Sequence, residues 1–406
     1  MTSPNTHGTS ICIIQPLLKL SNFLAIIPPF NLVKFSKKKR CSKTYKVYTA
    51  FVLVIYLSLY GLSVYGRQMV VFSMLAIPIQ IVDHVAYATL TLTNTLTSVQ
   101  SVFFNYEEFR SFFEKTLKVE CDVKMRMLSR RSFLKLFVPY VLAVLFLMLV
   151  DGFIWMHSLG WVNFRCYILR DIQYVHFCII NFLMFTLARV IEKRFSALNT
   201  LLPIVVYSLQ NPGFKKEYGF AALIDADSKD FQYQDLKNIG KCYVLLCEMV
   251  DTFNKVFGSI IVSVALCTIA ILLNNAILAI NYSIMSGNDM GGTGFGINLL
   301  ILCLMWTFMS MVQIIMLAYA CDGVAREAKR TPEICYSLLN DIPTIPKTDK
   351  DKILKEELLL IAQQATCRSP CISAAGFFVV NNSILGFILA SVTSYIIVTI
   401  QFVGQN

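Results

Sequence analysis

The sequence predicts an all-α membrane protein of seven transmembrane helices, with the N-terminus in the cytoplasm, the C-terminus outside and long intracellular helix extensions. Three observations predict it. Of 406 residues, 56% are apolar and only 15% charged, against about 25% charged in an ordinary soluble domain, and mean hydropathy is +0.61. The apolar residues gather into runs near the length, about 20 residues, that crosses a bilayer core. All but three of the 36 Lys and Arg residues fall in alternate connections between those runs, the exceptions being Arg67, Arg165 and Arg170. Basic loops stay in the cytoplasm, which fixes the direction. The composition also excludes disorder and a disulfide-rich scaffold.

In chain order, residues 1–46 form a cytosolic N-terminal segment holding Lys34, Lys37, Lys38, Lys39 and Arg40 among its basic residues and no acid. Its apolar patches at 11–35 are broken by Lys19 and Pro28-Pro29, and the basic cluster follows them. That order argues against a cleavable signal peptide. The stretch reads either as a segment lying along the membrane or as an irregular tail. Spans follow at 47–66, 76–104, 133–155 and 167–190, the second interrupted by Pro78, Asp83 and His84. A cytosolic loop and helix occupy 191–255. Asn211-Pro212-Gly213 with Asp225, Asp227 and Asp230 mark a loop over 210–232. Leu236, Ile239, Tyr243, Leu246, Met249 and Phe253 then recur at helical spacing towards span five. Spans five and six lie at 256–282 and 297–321. A second cytosolic loop and helix fill 322–373, with a short amphipathic helix over 349–365. Span seven covers 374–403, and 404–406 is an extracellular tail.

The intracellular parts are too small and too poor in strand signals for an enzyme domain. No phosphate-binding loop, dinucleotide fingerprint or H-E-x-x-H occurs. Of 13 cysteines only Cys166 falls in an outer connection; the others sit where thiols stay reduced. Cys367 and Cys371 lack His or acid partners for zinc, so neither metal nor cofactor is expected. The net charge of +11 reads as an orientation signal and a contact with anionic inner-leaflet lipid. No nucleic-acid-binding pattern accompanies it.

Ionisable groups inside spans are costly and usually functional. With the direction fixed, Asp83 and His84 fall in the outer half of span two, and Asp151 with Trp155 near the outer end of span three. Arg170, Asp171, Tyr174 and His176 fall in the outer half of span four, Asn274 in the outer part of span five, and Trp306 and Thr307 in the outer half of span six. Polar groups from five spans thus share one level with aromatic neighbours, the make-up of a small-molecule pocket. The alternative is that they pair with one another, Arg170 with Asp151 or Asp171, and hold the bundle together.

Span seven ends differently from the rest. Ser391, Ser394, Val398 and Gln401 or Phe402 share one helical face. Such a face suits a narrow water-filled path; the plainer reading is a packed span with tolerated polar residues. The ending also resembles a known signature. Ser394-Tyr395, a run from Ile396 to Ile400, then Gln401-Phe402 is similar to the motif of insect gustatory receptors: Thr-Tyr, five apolar residues, Gln-Phe. Ser394 and Thr399 depart from it. Ala375-Gly376-Phe377-Phe378, Asn381-Asn382-Ser383-Ile384-Leu385, and Asn254 with Phe257-Gly258 are also similar to that family.

The resemblance implies a ligand-gated, non-selective cation channel assembled as a homotetramer, possible too as a hetero-oligomer with other gustatory receptors, in the plasma membrane of a chemosensory neuron. Span seven of each subunit lines the pore, Gln401 and Phe402 match the extracellular gate positions, and the cytosolic ends of spans four to seven form the anchor between subunits. The ligand, a small-molecule tastant, enters each subunit's outer pocket. Its apolar and aromatic neighbours favour a bitter plant compound over a sugar. The rival readings are an odorant-type receptor subunit, a transporter, which the lack of internal repeats disfavours, and a G-protein-coupled receptor, which needs the opposite orientation.

Overall fold

The computed structural model describes residues 13–30, 41–70, 77–123, 130–210, 233–286, 293–343 and 348–403. All of the loop expected over 210–232 except Gln210, residues 287–292 of the connection before span six, and the tail at 404–406 lie outside the described residues. So do the side chains of Arg165, Cys166 and Phe402.

Helices account for nearly all of the described chain. α1 (Gln15–Phe23) begins with Pro16 in its first turn, where a missing N–H costs nothing. It is tied down: the Tyr45 hydroxyl donates to the carbonyls of Asn22 and Ile27 at 2.8 and 2.7 Å, and Leu17, Leu18, Ile26 and Ile27 are buried. Among the described residues, the stretch from Ile14 to Ile27 is therefore docked against the bundle rather than irregular.

α2 (Lys43–Val70) and α5 (Arg130–Leu159) are peripheral helices. Both carry stripes of exposed apolar side chains, Phe51, Val54 and Leu57 on one, Leu142, Leu145, Phe146 and Leu149 on the other. Surfaces of that kind are stable in lipid rather than water. α3 (Ile77–Val99) is followed by a π turn at Gln100–Phe104 and by α4 (Tyr106–Val123). Its threonines back-bond to their own helix: Thr89, Thr91, Thr93, Thr95 and Thr97 each donate to the carbonyl four residues earlier. Their small size also lets a neighbouring helix approach, so that Thr93 meets Ser263 at 2.8 Å and Ser259 donates to Gln100 at 2.7 Å.

α6 (Trp161–Gln210), α7 (Tyr233–Ser286) and α8 (Thr293–Asn340) have 50, 54 and 48 residues. At 1.5 Å per residue each is about 75 Å long, more than twice a bilayer core. α6 is the axis of the molecule, buried almost continuously from Phe177 to Val206. Pro203 and Pro332 lie inside α6 and α8, whereas α7 contains no proline.

α9 (Asp349–Arg368) opens with a reciprocal capping box between Thr348 and Asp351 and packs through Leu354, Leu358, Ile361 and Ala365. A hairpin follows, β1 (Ser373–Ala374) paired antiparallel with β2 (Phe378–Val379), its turn using Ala375 at φ 52° and Gly376 at φ 80°. α10 (Ser383–Val403) then begins, capped by Asn381, whose Oδ1 accepts from the Ser383 backbone N–H at 3.0 Å. Residues 374–382, counted with the seventh span on apolarity, are thus mostly hairpin, and the helix starts nine residues later. The backbone turns there because Ala375-Gly376 takes positive φ, which a continuous helix does not allow.

The helices run alternately up and down, and this gives the bundle two ends. One gathers the end of α2, the start of α3, the end of α5, the start of α6, the end of α7 and the start of α8; it is called the charged end below. The other holds α4, α9 and the hairpin.

Candidate ligand site

The charged end collects most of the polar residues singled out in the sequence, together with one the sequence reading placed elsewhere. Arg67, read as part of a short connection, is fully buried because α2 continues for another turn to Val70. The apolar Met69 and Val70 beyond it were the available signal. Its guanidinium donates to Asp83 Oδ2 at 2.5 Å and lies 4.5 Å from the centre of the Tyr87 ring. Asn274 also reaches Asp83, at 3.5 Å.

Beside this pair lies a second group. Asp151, fully buried near the end of α5, accepts the indole N–H of Trp155 at 3.1 Å and approaches that of Trp306 at 3.4 Å. Arg170 stands between two carboxyls, 3.9 Å from Asp151 and 3.7 Å from Asp171. Both distances are ion-pair distances, too long for hydrogen bonds. Aromatic rings frame the group. Trp155 stacks on Tyr167 with centroids 4.5 Å apart, Tyr174 stacks on Trp306 at 4.6 Å, and the Arg170 guanidinium sits 4.9 Å from Tyr167 and 5.8 Å from Tyr174. Positions 167, 170, 171 and 174 share a face because they are three or four apart on α6.

Three expected residues stand apart. His176 points to another face, where Nδ1 meets the Tyr56 hydroxyl at 3.0 Å. His84 lies 3.3 Å from Gln68, half-buried. Thr307 is approached by Asn275 at 3.4 Å. The pairing alternative weighed from the sequence, Arg170 with Asp151 and Asp171, is thus present, but with loose contacts.

At the hairpin end the bonding is tighter. Asn254 Nδ2 donates to the Cys371 carbonyl at 2.9 Å, and its Oδ1 accepts the Ser373 N–H at 3.0 Å. One turn on, Gly258 lets the hairpin backbone lie against α7: a Cβ there would meet Ala375 N at 2.9 Å. Tyr243 donates to the Ala365 carbonyl at 3.3 Å. Burial holds the Cys247 and Cys335 thiols up at about 12, so neither is a ready nucleophile. A groove of about 440 Å³ between α4, α7 and α9 is edged by Lys118, Lys237 and Lys241 over an apolar floor.

On α10, Ile384, Ile388 and Val392 form one buried seam. Ser391 is half-buried with its hydroxyl turned to the Phe387 carbonyl, and Ser394, Val398 and Gln401 are exposed.

The model of the 7tm chemosensory receptor family matches residues 14–406. Among solved structures the chain is similar to the insect olfactory receptor OR5 from Machilis hrabei, at 14% identity over 96% of this chain and 98% of that one, with a TM-score of 0.60. No curated protein matches. A match over nearly the whole chain, on a bundle of long apolar helices, leaves one conclusion: this is a multi-pass membrane protein that belongs to the 7tm chemosensory receptor family, a family of receptors and not of enzymes.

Proposed function

We propose that the chain is a gustatory-type receptor, a ligand-gated non-selective cation channel opened by a small external molecule. Its seven spans run from a cytoplasmic N-terminus to an extracellular C-terminus in the plasma membrane, the charged end faces out, and four copies assemble around a pore lined by α10. The observation that carries this reading is α10 itself. Only one seam of it is covered, while Ser394, Val398 and Gln401 stand exposed on the face that ends in the Gln-Phe motif. A lone helix with a hydroxyl-and-amide face suits a shared water path.

In this reading Phe402 closes the pore by excluding water. Ligand binding at the charged end favours a state in which α10 splays or rotates and Gln401 lines the opening. The ligand does so only by binding that state more tightly. The aromatic frame around Asp151 and Arg170 supports a compact, partly apolar tastant more than a sugar, and basic cytosolic loops keep the inner face on anionic lipid. Other gustatory receptors are natural co-assembly partners. The olfactory neighbour keeps a second reading open, an odorant-type subunit; the Gln401-Phe402 ending favours the first.

The test is expression in cells with current recording against a tastant panel, for the parent and Phe402→Ala. The expected result is a ligand-evoked cation current and, in the variant, a raised basal leak. Unchanged leak and unchanged response would remove the gate assignment. An N-terminal tag accessible on intact cells would overturn the orientation.

A further inference from the structure

Where α4, α7 and α9 meet beyond the hairpin they leave an open groove of about 440 Å³, within the range that takes small molecules. Its floor is Val244, Leu245, Leu360 and Ile361. α9 lies close to α7 there because residue 240 is glycine: a Cβ at Gly240 would meet Ile361 Cγ1 at 3.1 Å. The charge of the groove is one-sided. Lys118 of α4 and Lys237 and Lys241 of α7 line it, against a single acid, Glu357 of α9. The three lysines are exposed. Among the described residues none of them forms an ion pair, whereas Lys115, one turn back along α4, pairs with Glu248 at 3.1 Å. The side chains outside the described residues at 121–130 and 211–232 carry six basic and five acidic groups, so as a set they do not cancel the excess.

Such a groove suits an anion. Lys237 and Lys241 are one helical turn apart and Lys118 joins them from a second helix, so three point charges call for more than one negative group. Lysine in this role binds phosphate. Phosphate alone leaves the apolar floor bare. An acyl chain leaves Glu357 and Gln364 unused, and these two offer hydrogen bonds to hydroxyl and amino groups. The anion that meets every part has several phosphates and a compact body, apolar on its face and polar at its edge. Depth excludes a bilayer headgroup. Lys241 precedes Asn254 by 13 residues, which puts it about 20 Å along α7 beyond the hairpin from which α10 starts. We infer that the groove binds a nucleoside polyphosphate, the phosphates held by Lys118, Lys237 and Lys241 and the base lying on Val244, Leu245 and Leu360. No phosphate-binding loop occurs in the sequence, so the site is one of binding and not of hydrolysis. That the nucleotide is an intracellular one rests on the orientation proposed above; the binding itself does not. A ligand that bridges three helices of the folded chain stabilises it by mass action.

The test uses the purified full-length chain in phosphatidylcholine nanodiscs, with thermal unfolding followed as ATP, adenosine or tripolyphosphate is added at equal ionic strength. The expected result is a rise in Tm with ATP and a smaller or absent rise with the other two, of which one lacks the phosphates and the other the body. Lys237→Gln combined with Lys241→Gln should raise the half-effect concentration of ATP at least about tenfold. An equal rise with tripolyphosphate overturns the proposal and leaves a general basic surface. No rise with ATP, or a rise that the double variant leaves unchanged, overturns it as well, the lysines then being matched by solvent or by the chain's own acids. The comparison of three ligands on the parent chain stands whether or not the double variant folds. ATP binding without any tastant-evoked current would instead bring down the channel reading and leave the groove site intact.

Discussion

The two ends of the bundle are built from the same helices on opposite principles. Around the hairpin the polar groups are closed: Asn254 spends both halves of its amide on the chain entering the hairpin, Asn381 caps α10, and Thr348 and Asp351 cap α9, while farther along the same end Arg194 and Glu120 stand 3.6 Å apart, as loose as the pairs around Arg170. At the charged end polar groups are many and several are open, with Arg170 between two carboxyls it does not quite reach. Closed networks rigidify a site, while in a partly satisfied one the low dielectric makes each unpaired group costly. The contrast fits a stabilising role for the hairpin and, on the proposed function, recognition at the charged end.

Substitutions can break that contrast. The largest effect is expected from Gly258→Ala, whose methyl would fall 2.9 Å from the Ala375 backbone nitrogen. Backbone cannot yield as a side chain can, so a loss of about 2–3 kcal/mol should appear as a clear drop in unfolding temperature and surface yield. A fully stable Gly258→Ala protein would mean that the hairpin is not pressed against α7. Asn254→Ala comes next. It removes two hydrogen bonds to the hairpin and should cost about 1–2 kcal/mol, read by the same melt, with Asn254→Asp retaining part because it keeps the acceptor. Trp306→Phe at the charged end should be mildest for stability, under about 1 kcal/mol, since its indole bond to Asp151 is already long at 3.4 Å. It should still shift a ligand dose–response curve. Equal stability losses from Asn254→Ala and Trp306→Phe would erase the distinction between the ends.

Much of this architecture is legible in the sequence. Apolar runs without internal proline mark the long helices, and the spacing from Leu236 to Phe253 marks the extension of α7 beyond its apolar stretch. The common level of Asp83, Asp151, Arg170, Asp171, Tyr174 and Trp306 follows from counting 1.5 Å per residue along antiparallel helices. What counting does not supply is rotation. His176 lies only two residues past Tyr174, which puts it on another face with Tyr56. The hairpin was hidden for a different reason: Ala374 to Val380 is as apolar as a span, and composition does not reveal that Ala375 and Gly376 turn the chain. Arg67 was hidden because a charge near the end of an apolar run looks like the end of a helix. Here the helix runs on and closes the charge against Asp83.

The unbroken course of α7 has a mechanical consequence. Asn274 at the charged end and Asn254 at the hairpin sit on one helix, twenty residues apart and so about 30 Å along its axis. No proline interrupts it, and sharp kinks in helices almost always need one or a comparable defect. α7 is therefore a drive shaft with a fitting at each end. A twist applied where Asn274 meets Asp83 turns Asn254 with it, and the hairpin it grips is the mount on which α10 begins.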